Sequence, residues 1–116
     1  MARSPQLSPE ALRAIEAAPS IGISAASCWE VALLATKGRI QFELPPAEWV
    51  QVALGEPGVV ALPLDPEVAV EAALLAAPFP RDPADRFIYA SAKRRAAILV
   101  TRDRRIRDYD PRGTLW

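Results

Sequence analysis

Residues 82–103 read DPADRFIYASAKRRAAILVTRD, and the order of signals within them decides the fold class. Asp82 is a side chain that can accept from free backbone amides, and Pro83 fits the first helical position, so the pair marks a helix start. That helix is expected over Pro83–Arg95. After Ala96 and Ala97 the pattern changes. Ile98, Leu99, Val100 and Thr101 form a run that is apolar on both faces, which suits a strand covered by helices on both sides. The same start signal recurs in Ser8-Pro9-Glu10 and Asp65-Pro66-Glu67, giving helices over Pro9–Ala18 and Pro66–Ala77. A further helix follows Ser24, because Ala25, Trp29, Ala32, Leu33 and Thr36 recur at helical spacing and Gly38 supplies a stop. A shorter one covers Ala47–Leu54. Brief β-like runs lie between them at Ile21–Ile23, Val59–Leu62 and Thr114–Trp116. This alternation predicts an α/β fold with a helix-flanked, mostly parallel sheet.

The chain of 116 residues, 51% apolar and 24% charged, is long enough for one domain, residues 1–116, and one core. It contains no histidine. Imidazole-dependent triads, HExxH zinc sites and histidine bases are therefore excluded. The single cysteine, Cys28, excludes an internal disulfide and a CxxC site, and fits a reducing, cytoplasmic setting. Met1–Glu10 lacks the apolar stretch of a signal peptide. The most apolar segment, Val68–Phe79, is interrupted by Glu71 and Pro78 and falls short of the roughly 20 residues that span a bilayer. No membrane role is expected.

Charge is distributed unevenly. Residues 1–80 carry nine acids against four bases, whereas residues 81–116 carry ten bases against five acids. Nine of those ten bases lie between Arg81 and Arg107, a density that a phosphate-binding surface requires and that a solvated helix face also produces.

In open α/β sheets, ligands bind beyond the carboxyl ends of the strands, and the acids gather there. Ser24, Ser27 and Glu30 follow the first run, Arg102 and Asp103 follow the run ending at Thr101, and Asp82 and Asp85 open the helix between. Three or four carboxylates without histidine suit a hard cation, magnesium or manganese, rather than zinc. The chemistry that follows is metal-assisted phosphodiester hydrolysis, with nearby arginines holding phosphates.

The segments Ile23-Ser24-Ala25-Ala26-Ser27-Cys28-Trp29-Glu30, Arg81-Asp82-Pro83-Ala84-Asp85-Arg86 and Leu99-Val100-Thr101-Arg102-Asp103, with the final Trp116, resemble the PIN-domain family, and within it the VapC-type toxins. Leu62-Pro63-Leu64 before a helix and Gly38-Arg39-Ile40 after one fit the same pattern. The resemblance implies a three-layer α/β/α domain and magnesium- or manganese-dependent cleavage of RNA. It places Glu30, Asp85 and Asp103 on catalytic, metal-binding positions and Asp82 on an accompanying metal-binding acid. Thr101, Ser24 and Ser27 become supporting hydroxyls, and Arg81, Arg86, Arg102 and Arg104 become candidates for RNA phosphates. It further implies a homodimer, a cognate antitoxin partner and no DNA contact by the toxin itself.

The family opens with a central strand ending in an aspartate, and this sequence begins at the helix that follows. An internal start, a shortened chain or a decayed toxin would each account for that. With one acid fewer, the expectation is weak metal affinity and little or no nuclease activity. The strands flanking the missing one are expected either to pair directly or to recruit another chain. Two functions follow: a metal-dependent ribonuclease toxin, or an inert PIN remnant that binds an antitoxin or RNA without cleavage. Each residue also has a plainer role. Asp82 is a good helix cap, Asp85 suits a capping box, Glu30 and Asp103 fit a surface, Ser24 fits a cap, and Cys28 fits the core. Trp29, Trp49 and Trp116 read as core or dimer contacts rather than base-stacking platforms.

Overall fold

The computed structural model describes residues 8–38 and 43–116; Arg39 and Ile40 of the sequence motif lie outside them. The elements run α1 Pro9–Ala17, β1 Ile21–Ser24, α2 Ala25–Thr36, α3 Pro46–Leu54, β2 Val59–Leu62, α4 Pro66–Ala73, α5 Pro83–Arg94, β3 Leu99–Val100, α6 Arg104–Tyr109 and β4 Thr114–Leu115. The α/β alternation is as the sequence predicts. Proline occupies the first turn of α1, α4 and α5, and Ser8 and Asp65 accept backbone amides at 3.0 Å from Ala11 and 2.9 Å from Val68. Gly38 follows α2 at φ +71°, the left-handed geometry of a helix stop.

Two elements depart from expectation. Helix α4 ends at Ala73 rather than Ala77, because Pro78 disfavours helical backbone at the residue before it and the guanidinium of Arg86 donates to the carbonyls of Ala72 and Leu75 at 3.0 and 3.2 Å. Helix α6 was not expected. Asp103 caps it by accepting from the amide of Arg105 at 2.8 Å, and Ile106 packs inward at 2% exposure.

All strand pairing among the described residues is parallel, in keeping with the expected mostly parallel sheet. Ile21 lies opposite Val59 through Ser24 opposite Leu62, and Leu99 opposite Thr114 with Val100 opposite Leu115. The two pairs remain separate sheets. The strands therefore do not close directly on one another, and β1 and β3 each keep one open edge among the described residues. Helix α5 organises the packing. Ala90 joins Val68 and Ala72 of α4, with Phe87 against them, while Tyr89 joins Phe79 and Ile106, with Leu75, Leu99 and Tyr109 alongside. In that second cluster Phe79, Tyr89 and Tyr109 have ring centroids 4.9 to 5.9 Å apart, the spacing of favourable edge and tilted contacts.

Candidate metal centre

Two helix starts carry three of the acids to one place. Ser24 ends β1 and caps α2 by accepting from Ala26 at 3.1 Å, which sets Glu30 a turn and a half along that helix. Asp82 and Asp85 occupy the cap and third position of α5. Glu30, Asp82 and Asp85 each bring a carboxylate oxygen within 4.8 Å of the other two. Asp82 makes no capping hydrogen bond, so the plainer reading of this residue as a helix cap is corrected: its carboxylate is turned to the cluster instead.

The electrostatics match the geometry. Burial pushes the Asp85 carboxyl up to about 6, helped by the like charges of Asp82, Glu30 and Asp103 and by a hydrogen bond shared with Asp82. Burial also raises Glu30, with the charge of Asp82 as the second cause. Carboxylates forced together in this way hold a proton more tightly than usual unless a cation replaces it. An all-oxygen donor set of this kind fits a hard divalent ion.

Asp103 lies near enough to raise Asp85, yet its carboxylate is engaged elsewhere. Oδ1 accepts from the backbone amide and Nε of Arg105 at 2.8 and 3.3 Å, and Oδ2 accepts from Nη2 at 2.9 Å. These bonds hold Asp103 below the usual carboxylate range. Arg105 is well exposed, so the pair is a weak one. Thr101 steadies this turn by accepting from the amide of Asp103 at 3.1 Å. Ser27 sits half-buried in the first turn of α2.

The arginines divide into two groups. Arg86 donates from Nε to the carbonyl of Pro80 at 3.0 Å as well as to those of Ala72 and Leu75; this corrects its placement among the phosphate candidates, because the guanidinium is engaged on backbone. Arg81 and Arg102 are exposed. Arg104 has only a 4.0 Å exposed pairing with Asp108. The role of Arg105 at Asp103 was missed in the sequence; an arginine two residues past a capping acid was the available signal. Trp29 is 59% exposed, which removes the core half of its reading as a core or dimer contact, and Cys28 is half-buried rather than fully enclosed.

The model of the PIN domain matches residues 3–111. The chain is 43% identical over 113 residues to Ribonuclease VapC22 of Mycobacterium tuberculosis (strain ATCC 25618 / H37Rv), an alignment that takes in 96% of this chain and 85% of that protein. No solved structure matches it. The chain belongs to the PIN-domain family, in its VapC branch.

Proposed function

We propose that this chain is the toxin of a VapBC-type pair, a magnesium- or manganese-dependent ribonuclease of one PIN domain, working in the cytoplasm under the control of an antitoxin. The observation that carries the reading is the meeting of Glu30, Asp82 and Asp85 within 4.8 Å in a chain of this family. These three would hold the ion, and Asp103 would join them by releasing Arg105. A bound divalent ion lowers the pKa of a water and offsets charge on the departing oxygen. The protein's own part is positional. Burial and crowded like charge hold the Asp85 and Glu30 carboxyls above their usual range until a cation offsets that charge, and Arg81, Arg102 and Arg104 lie on the same basic segment to meet phosphates. Helix α5 presents its amino end, which favours a phosphate near Asp82.

The test is cleavage of single-stranded RNA by the full chain in magnesium and in manganese, with Asp85→Asn and a chelator as controls. With three acids in the cluster we expect weak cleavage that requires the divalent metal, is lost in chelator and is lost in Asp85→Asn. Folded protein that binds RNA or antitoxin and cleaves nothing in either metal would replace this reading with that of an inert binding remnant.

A further inference from the structure

An apolar cleft of about 290 Å³ lies directly beside the carboxylates, lined by Ala26, Trp29, Leu64, Pro83, Ala84 and Phe87 with almost no polar surface. Cleft and cluster share two walls. On α2, Trp29 lines the cleft and its neighbour Glu30 joins the carboxylates; on α5, Pro83 and Ala84 line the cleft while Asp82 and Asp85, which flank them in sequence, join the carboxylates. Trp29 and Leu64 leave 59% and 45% of their surface in water, a cost that nothing among the described residues repays. The cleft sits just under the roughly 300–1,000 Å³ of pockets for drug-sized ligands, so it suits one flat ring system rather than a peptide helix.

We infer that this cleft seats one unpaired nucleobase of the RNA, next to the phosphate held at the carboxylates, with Trp29 as the stacking surface that positions it. This rests on the ribonuclease reading and deepens it. A base adjoining the scissile phosphate must lie close to the acids, and the cleft is walled by the same opening turns of α2 and α5 that carry them. Single-stranded RNA is read by aromatic side chains on which splayed bases stack, and every base offers a π face, so the cleft supplies affinity without selecting strongly by sequence. Arg81, next in sequence to Asp82, is exposed and carries charge opposite to that of the RNA backbone. Trp29 is therefore a positioning residue rather than a catalytic one.

The experiment compares wild type, Trp29→Ala and Trp29→Phe on a short RNA and on the same RNA with an abasic residue beside the cleaved bond. Trp29→Ala is expected to raise KM about tenfold with kcat within about twofold of wild type, and Trp29→Phe to restore most of the loss. The abasic RNA costs wild type a similar factor and Trp29→Ala nothing further. In chelator, uncleaved RNA quenches tryptophan emission in wild type and not the residual emission of Trp29→Phe. An unchanged KM, or additive losses from Trp29→Ala and the abasic site, overturns the proposal. So does sedimentation in which Trp29→Ala splits a dimer, which assigns the cleft to a second copy, or a loss confined to a peptide partner. Absence of cleavage by wild type defeats the ribonuclease reading alone, and the quenching titration then decides the cleft by itself.

Discussion

At the scale of single residues, Asp85 carries the property most specific to this site. Its ordinary value is 3.8, and burial with three acidic neighbours lifts it to about 6. A carboxyl raised on folding binds more protons in the native than in the unfolded state between those values, so stability falls as pH rises through that window. Metal-free protein should therefore gain a few degrees in Tm on going from pH 7 to pH 5, contrary to a carboxylate held by a salt bridge. A divalent cation takes the proton's place and reverses the trend, so manganese should raise Tm more at pH 7 than at pH 5. Thermal melts in chelator and in manganese at the two pH values check this; a metal-free Tm that drops at pH 5 counts against the cluster. Arg86 makes a contrasting case. Its fork spans three carbonyls, a geometry that a lysine ammonium cannot reproduce. Arg86→Lys should cost about 2 kcal/mol, measured by urea unfolding, since the carbonyls of Ala72 at the end of α4 and of Leu75 beyond it lose a donor together.

At the scale of elements, the end of α5 stores a correctable cost. Ala96 sits at φ 53°, with its amide donating to Lys93 at 3.0 Å and the amide of Ala97 donating to Ala92 at 2.9 Å, a Schellman closure built on alanine where glycine is favoured. Left-handed backbone costs a residue with Cβ about 1–2 kcal/mol. Ala96→Gly should therefore stabilise the protein by about 1 kcal/mol, part of the gain being offset by the freer unfolded chain, as read from the urea midpoint. Near the same helix, Asp110 ties α5 to α6 and β4. It accepts from the Tyr89 hydroxyl at 2.7 Å, Lys93 at 3.2 Å and the Gly113 amide at 3.1 Å, and these bonds hold it below the usual carboxylate range. Asp110→Ala leaves the buried Tyr89 hydroxyl unpaired and should cost about 2–3 kcal/mol. The sequence made the helix starts legible, because a cap followed by proline is a local steric statement. It hid α6, whose six residues offer too little periodicity, and it hid the end of α4, which depends on Arg86 arriving from another helix. The site divides in the same way. Residue types and strand ends singled out Glu30, Asp82 and Asp85, which the fold brings together, whereas the release of Asp82 from capping, the capture of Asp103 by Arg105 and the exposure of Trp29 are decided by packing.

At the scale of the whole molecule, the core is unfinished. Among the described residues no large side chain falls below 2% exposure, while Leu12, Ile21, Val52, Val60, Val70, Leu74 and Ile98 are all exposed. The radius of gyration is 14.4 Å, above the roughly 13 Å of a compact chain this long. Two-stranded parallel sheets are also unusual, because parallel strands are stable where both faces and both edges are covered. Exposed apolar surface of this extent, next to backbone edges with free donors and acceptors, favours association, since burial recovers about 25 cal/mol per Å² and a strand laid on an edge satisfies its amides. We therefore expect the protein to dimerise in solution, in line with the homodimer that the family resemblance implies. Sedimentation equilibrium over a range of concentrations should give a mass above that of the single chain, and strand amides of β1 and β3 should exchange slowly in the associated form and quickly on dilution. A well-dispersed amide spectrum from a strictly monomeric sample, with those amides already protected, would mean that the open edges are closed within the chain and would remove the reason for a partner.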